Sequence, residues 1–161
     1  MVQQQPRLNL AKSFSEKCLE AIQAIVTKVW LRPGTTGDES MNLGLLEAER
    51  RISGQNVLVT GAAGFIGSNL VERLVKAGAK VRAMVHYNAL SSWGNLEFLP
   101  RDVMTNVEVL ASNVADSDYV LSLVKGQDIV LHLAALIAIP YSYVAPRSYI
   151  RANVEGTLNV L

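Results

Sequence analysis

Three glycines spaced three apart, Gly61, Gly64 and Gly67, stand between a run of branched apolar residues and a helical pattern, and this arrangement constrains the chain more than any other feature. The run Asn56-Val57-Leu58-Val59-Thr60 reads as a buried strand. After it, residues 65 to 77 place Ile66, Leu70 and Leu74 on one helical face, and Gly78 ends the pattern. In such a strand–turn–helix, Gly61 allows the tight turn. Gly64 lets backbone approach a phosphate without a Cβ clash, and Gly67 lets the helix pack closely. Free N–H groups and the positive end of the helix dipole then form an anion site that needs no basic side chain. A glycine turn that only packs is the alternative. The strand before and the helix after weigh for a pyrophosphate.

The same alternation continues. Residues 80 to 85 read as a second strand, 107 to 110 as a third, 117 to 125 as a helix stopped by Gly126, and 129 to 133 as a fourth strand. Pro146 then opens a last helix toward Leu161. Right-handed crossovers turn such a series into a parallel sheet covered on both faces, with ligands at the carboxyl ends of the strands. The expected class is α/β, a Rossmann-type doubly wound parallel sheet of about four strands behind an N-terminal helical extension. In that extension Phe14, Cys18, Ala21, Ile22, Ile25 and Val29 suit an amphipathic helix over residues 13 to 31, capped by Ser13 and Glu16. Residues 32 to 42 read as a linker, which divides the chain into 1–50 and 51–161.

Charge narrows the partners. Fifteen Lys and Arg stand against fourteen Asp and Glu, and residues 57 to 161 carry eight of each. There is no field for a nucleic-acid backbone and no polybasic membrane anchor. Cys18 is the single cysteine, the first residues lack the order of a signal peptide, and no apolar stretch reaches membrane-spanning length. The expectation is a cytoplasmic protein with neither nucleic acid nor membrane as partner and no metal site.

The run Val57 to Gly67, with Leu131-His132-Leu133-Ala134-Ala135 and Asn153-Val154-Glu155-Gly156-Thr157, resembles the extended short-chain dehydrogenases/reductases that act on nucleotide sugars. The stretches Val85 to Gly94 and Leu136 to Tyr143 look more narrowly like the bacterial UDP-N-acetylglucosamine 4,6-dehydratases of the legionaminic-acid pathway type. The resemblance covers roughly residues 55 to 161 and corresponds to the first half of the family's dinucleotide-binding domain. It implies NAD as cofactor, with NADP not excluded, a nucleotide sugar as substrate of the complete enzyme, and leaves a homodimer open.

Carried over residue by residue, the resemblance implies that Gly61, Gly64, Phe65, Ile66 and Gly67 meet the pyrophosphate. His86 and Asn88 stand by the adenine ribose, and Asn113 and Val114 by the adenine. Leu133, Ala134 and Ala135 line the nicotinamide side, and Asn153 reaches toward the cofactor. Ordinary strand-end core for Leu133 to Ala135, and bonding to nearby backbone for Asn153, are the alternatives.

Three departures matter. His86-Tyr87-Asn88 stands where the family commonly has an Asp for the ribose hydroxyls, so NAD and NADP both stay open. Asn113 replaces an Asp, though its amide oxygen can still accept from the adenine amino group. The family's proton transfer uses a Tyr-x-x-x-Lys pair whose ammonium lowers the phenol pKa. Here the residues four beyond Tyr87, Tyr119, Tyr141, Tyr143 and Tyr149 are Ser91, Leu123, Ala145, Arg147 and Asn153. No catalytic residue is assigned, and the chain by itself is expected to bind a cofactor without turning over a sugar. A non-catalytic dinucleotide-binding or interaction module, or a truncated remnant, is the rival reading.

Among the remaining candidates, His132 lies inside a strand and reads as a hydrogen-bonded structural histidine rather than a ligand. Tyr141, Ser142 and Tyr143 either touch nicotinamide or sugar or pack a loop. Arg147 and Arg151 read as a solvated helix face, and Trp93 either shields the adenine or packs its loop.

Overall fold

The computed structural model of the chain describes residues 49–161. The expected helix over 13 to 31 with Cys18, and the linker after it, lie outside the described residues. The chain divides into two units, Met1–Arg51 and Ile52–Leu161, and the sheet belongs to the second.

Four parallel strands form that sheet: β1 (Asn56–Thr60), β2 (Lys80–His86), β3 (Val107–Ser112) and β4 (Ile129–His132). Their order is β3-β2-β1-β4. The chain winds outward from β1 through β2 to β3, then returns to the other side of β1, so a topological switch point lies between β1 and β4. Thr60 is in register with Met84 and with His132, and His86 with Ser112, which brings every strand's carboxyl end to one edge. At the opposite edge Asp128 Oδ2 accepts from the Asn56 backbone N–H at 2.8 Å and from Asn56 Nδ2 at 3.0 Å, fixing the start of the β1–β4 pairing.

Strand alternation sorts the core onto the two faces of the sheet. Val57, Val59, Val81, Ala83 and Val85 pack with Val71 and Leu74 of the helix Phe65–Lys76. Leu58 and Met84 point the other way and pack with Val114 and with Val120 and Leu123 of the helix Ser117–Val124. Because β1 is covered on both faces, its three central residues are fully buried. This is why it reads as a continuous apolar run.

Among the described residues the expected elements are present, with differences at their ends and in the connections. β3 continues past Leu110 to Ser112 because β2 offers Val85 and His86 as partners for Ala111 and Ser112. A 3-10 turn, Gly94–Phe98, and a short helix, Arg101–Met104, fill the β2–β3 connection, anchored by the fully buried Leu96. Ile139–Val144, read from the sequence as loop, is a short helix with Pro140 in its first turn. The last helix is Pro146–Tyr149, then a π turn over Ile150–Glu155, then Gly156–Val160.

Candidate functional site

Just beyond β1 the three glycines are held by distinct contacts. Gly61 has φ +69°, and a Cβ there would come within 2.8 Å of Ala134 N and of the Leu133 carbonyl carbon. It therefore meets both a left-handed backbone and a close approach of the β4 end, which only glycine satisfies. A Cβ on Gly67 would stand 2.3 Å from Gly61 O and 2.8 Å from Ala62 Cα, so this residue lets the helix seat directly on the turn. Gly64 is the N-cap residue and makes no side-chain cap bond. A Cβ on it would meet only Gly61 O, at 3.3 Å, and its outer side is otherwise open. The first turn of that helix carries no acidic residue, and Phe65 and Ile66 stand at its exposed end. An open backbone cradle at the positive end of a twelve-residue helix fits a pyrophosphate.

Thr60, unremarked in the sequence, ties this turn to β4. It is fully buried, and its Oγ1 lies 3.1 Å from Leu133 N, 3.2 Å from Ala134 N and 2.7 Å from His132 Nδ1. His132 Nε2 in turn meets Thr157 Oγ1 at 3.2 Å, and Thr157 Oγ1 donates to the Asn153 carbonyl at 2.7 Å. The histidine is structural and hydrogen-bonded at both nitrogens, and burial pushes its pKa below the usual imidazole value. The signal for Thr60 in the sequence is slight: one small polar residue ending an apolar run, immediately before Gly61.

The other candidates share the carboxyl edge in different ways. Leu133, Ala134 and Ala135 follow β4, and the first two are the backbone that Gly61 approaches. Asn153 engages backbone: Oδ1 accepts from Leu136 N at 2.8 Å and Nδ2 donates to Leu136 O at 2.9 Å. Asn113 Oδ1 accepts from Ala115 N at 3.0 Å, which leaves that oxygen one lone pair. Val114 is buried in the core, where Gly156 admits it, a Cβ there falling 2.7 Å from Val114 Cγ1.

At the end of β2 His86 is exposed and stacks on Tyr87 at 5.1 Å. Asn88 is engaged within its own loop, accepting at Oδ1 from Leu90 N and Ser92 N and donating through Nδ2 to Ser92 O. That loop folds back on the glycine turn, since Asn95 N donates to Ala63 O at 2.9 Å and Trp93 just before it is half exposed. Ser142 Oγ donates to Ile139 O, Tyr143 is exposed, and Tyr141 lies against Tyr149 with ring centres 6.2 Å apart. Arg151 faces Glu155 at 4.0 Å on an exposed helix surface. Among the described residues no helix is long and apolar enough to cross a membrane.

The sequence model of the family described as GDP-mannose 4,6 dehydratase matches residues 58–161. A UDP-N-acetyl-alpha-D-glucosaminuronate decarboxylase of Bacillus cytotoxicus is 32% identical over 105 residues, 65% of this chain and 31% of that one. A dTDP-glucose 4,6-dehydratase of Streptomyces antibioticus is 37% identical over 106 residues, 63% of this chain and 31% of the relative. Among solved structures, the Bordetella bronchiseptica enzyme WbmF in complex with NAD+ and UDP superposes with a TM-score of 0.56 at 27% identity, over 69% of this chain and 32% of that chain. The chain thus spans about a third of the length of the curated relatives it matches.

Proposed function

The chain belongs to the GDP-mannose 4,6 dehydratase family, and from that premise we propose that residues 56–161 hold a nicotinamide dinucleotide for chemistry on a nucleotide sugar. The observation that carries the reading is the cradle at Gly64, open on its outer side and set at the start of the first helix, while Gly61 and Gly67 are closed by backbone. The pyrophosphate is held there by backbone N–H groups and the helix dipole rather than by lysine or arginine, in keeping with a net charge of +1. The β2 edge receives the adenine ribose beside His86, and Asn113 turns its remaining lone pair to the adenine amino group. The Leu133-Ala134-Ala135 backbone flanks the nicotinamide side. When bound, the nicotinamide supplies acceptance and return of a hydride.

NAD is the cofactor of this reading. Residues 86 to 95 contain neither lysine nor arginine to pair with a 2′-phosphate, and WbmF is a structural neighbour in complex with NAD+. Substrate chemistry follows the relatives, which are a nucleotide-sugar decarboxylase and a dehydratase. No tyrosine in the 161 residues has a lysine four positions on, so the chain's own residues bind and orient, and no general acid or base is assigned among them.

The test is a fluorescence titration of NADH and NADPH into the 161-residue chain and its Gly64→Val variant. The expected result is saturable NADH binding, weaker NADPH binding, and a loss of at least about tenfold in affinity in the variant with little change in melting temperature. A titration with no saturable signal up to millimolar NADH refutes the proposal.

A further inference from the structure

We infer that His132 is a positioning residue: in its Nε2–H form it fastens the β4 end to the glycine turn on one side and to the last helix on the other, so that protonating it loosens the cradle. The consequence for cofactor affinity rests on the function proposed above; the fastening itself does not.

The direction of every bond in this chain follows from donor chemistry. Leu133 N–H and Ala134 N–H can only donate, so Thr60 Oγ1 accepts from both, at 3.1 and 3.2 Å; Leu133 N–H is shared with the Thr60 carbonyl, at 3.3 Å. With both lone pairs engaged, the hydroxyl hydrogen points at His132 Nδ1, 2.7 Å away, and Nδ1 must be the bare acceptor. A neutral imidazole then carries its hydrogen on Nε2, which donates to Thr157 Oγ1 at 3.2 Å. Thr157 passes its own hydrogen to the Asn153 carbonyl, and the Asn153 side chain brackets both backbone groups of Leu136. One polarised series therefore runs from the β4-end amides, through the residue before the glycine turn, to the π turn of the last helix, each bond strengthening the next.

An imidazolium is a donor at both nitrogens. Its Nδ1–H would face an oxygen whose lone pairs are already engaged by Leu133 and Ala134. Thr60 then has to release one of those amides, or the ring has to swing away. Release of an amide acts on the backbone that lies against Gly61, and withdrawal of the ring undoes the tie to Thr157 and so to the last helix. The elements packed around the ring offer no buried anion to compensate. β1 and residues 133–138 are uncharged, and the last helix carries Arg147, Arg151 and Glu155, all exposed, with Arg151 and Glu155 paired. Asp118 on the helix behind it is exposed as well.

The experiment compares the 161-residue chain with His132→Asn, whose amide oxygen keeps an acceptor for Thr60 but does not titrate. Three readouts run between about pH 5 and pH 8. They are the ring ¹⁵N shifts of His132, the amide exchange of Leu133 and Ala134 relative to intrinsic rates, and the affinity for NADH. Exchange at Leu58, in mid-strand, reports global opening. The expected result is an Nε2–H ring at neutral pH. In acid, protection of Ala134 and NADH affinity fall by about tenfold, the scale of one lost hydrogen bond, while Leu133 keeps its bond to the Thr60 carbonyl. In the variant both stay flat. An Nδ1–H ring, equal acid dependence in the two proteins, or NADH affinity that does not follow the amides overturns the inference. Exchange that follows His132 while NADH fails to bind at any pH overturns the proposed function and leaves the fastening in place.

Discussion

Substitution of Gly67 by Ala adds one methyl group in the tightest place of the described fold. Its Cβ would stand 2.3 Å from Gly61 O, whereas ordinary contacts begin at 3.4 Å, so turn and helix must separate by about 1.1 Å. The obstacle is backbone on every side: Gly61 O, Gly61 C and Ala62 Cα. Gly61 is itself held by the Leu133–Ala134 backbone, so the turn has little room to retreat. Overpacking of this kind costs about 3 kcal/mol at the upper end of its range. Against it stands the gain of about 1 kcal/mol from replacing glycine by alanine in a helix. The net loss is about 2 kcal/mol, or a drop of about 8 °C in melting temperature for a domain near 100 residues. Gly126→Ala is the comparison: φ is +79° there and nothing lies within 4 Å of the added Cβ, so only the left-handed backbone cost of about 1 kcal/mol applies. Thermal denaturation followed by circular dichroism measures both. A Gly67→Ala protein that melts with the wild type, or above Gly126→Ala, refutes the seating of the helix on the turn.

Three further outcomes follow from the same contacts. Leu58→Ala, in a fully buried residue packed against Met84, Val114, Val120 and Leu123, should cost about 3 kcal/mol in urea unfolding, with the slope unchanged. Asn153→Ala leaves both backbone groups of Leu136 without their side-chain partners and should cost about 1–2 kcal/mol, with faster amide exchange at Leu136 as its local signature. The lowered pKa of His132 predicts a pH effect on stability as well. Below the ordinary value of about 6.5 the unfolded chain takes a proton that the folded chain resists, so stability falls as pH drops from about 6.5 and is level above it. Chemical denaturation at a series of pH values should show this acid slope in the wild type and a shallower one in His132→Asn; equal slopes contradict the burial of that ring.

Legibility differed sharply between strands and connections. β1 and the helix after it were readable because a strand buried on both faces needs an unbroken apolar run, and its helix needs only one apolar stripe. The glycine spacing was readable for a similar reason, since Gly64 and Gly67 answer to backbone within a few residues, whereas the approach of Leu133 and Ala134 to Gly61 was not. The break in the last helix was not: Ile150–Glu155 widens into a π turn where Asn153 reaches across to Leu136, seventeen residues back in sequence. The short helix at Ile139–Val144 was missed where a loop was expected, although Pro140 suits its first turn.

By itself the sequence determined the alternation of strand and helix, the place of the glycine turn and the near-neutral charge of the chain, because periodicity, glycine spacing and charge are local properties of the chain. Only the tertiary structure decided what those residues touch. Thr60 and His132 lie 72 residues apart, and no pattern in either neighbourhood announces that they meet across two parallel strands. The same holds for Asn153, whose amide brackets Leu136, and for Asn88, which the fold engages within its own loop. A hydrogen-bonding side chain has several suitable partners in a sequence. Which one it takes is fixed when register and crossover bring one of them within about 3 Å.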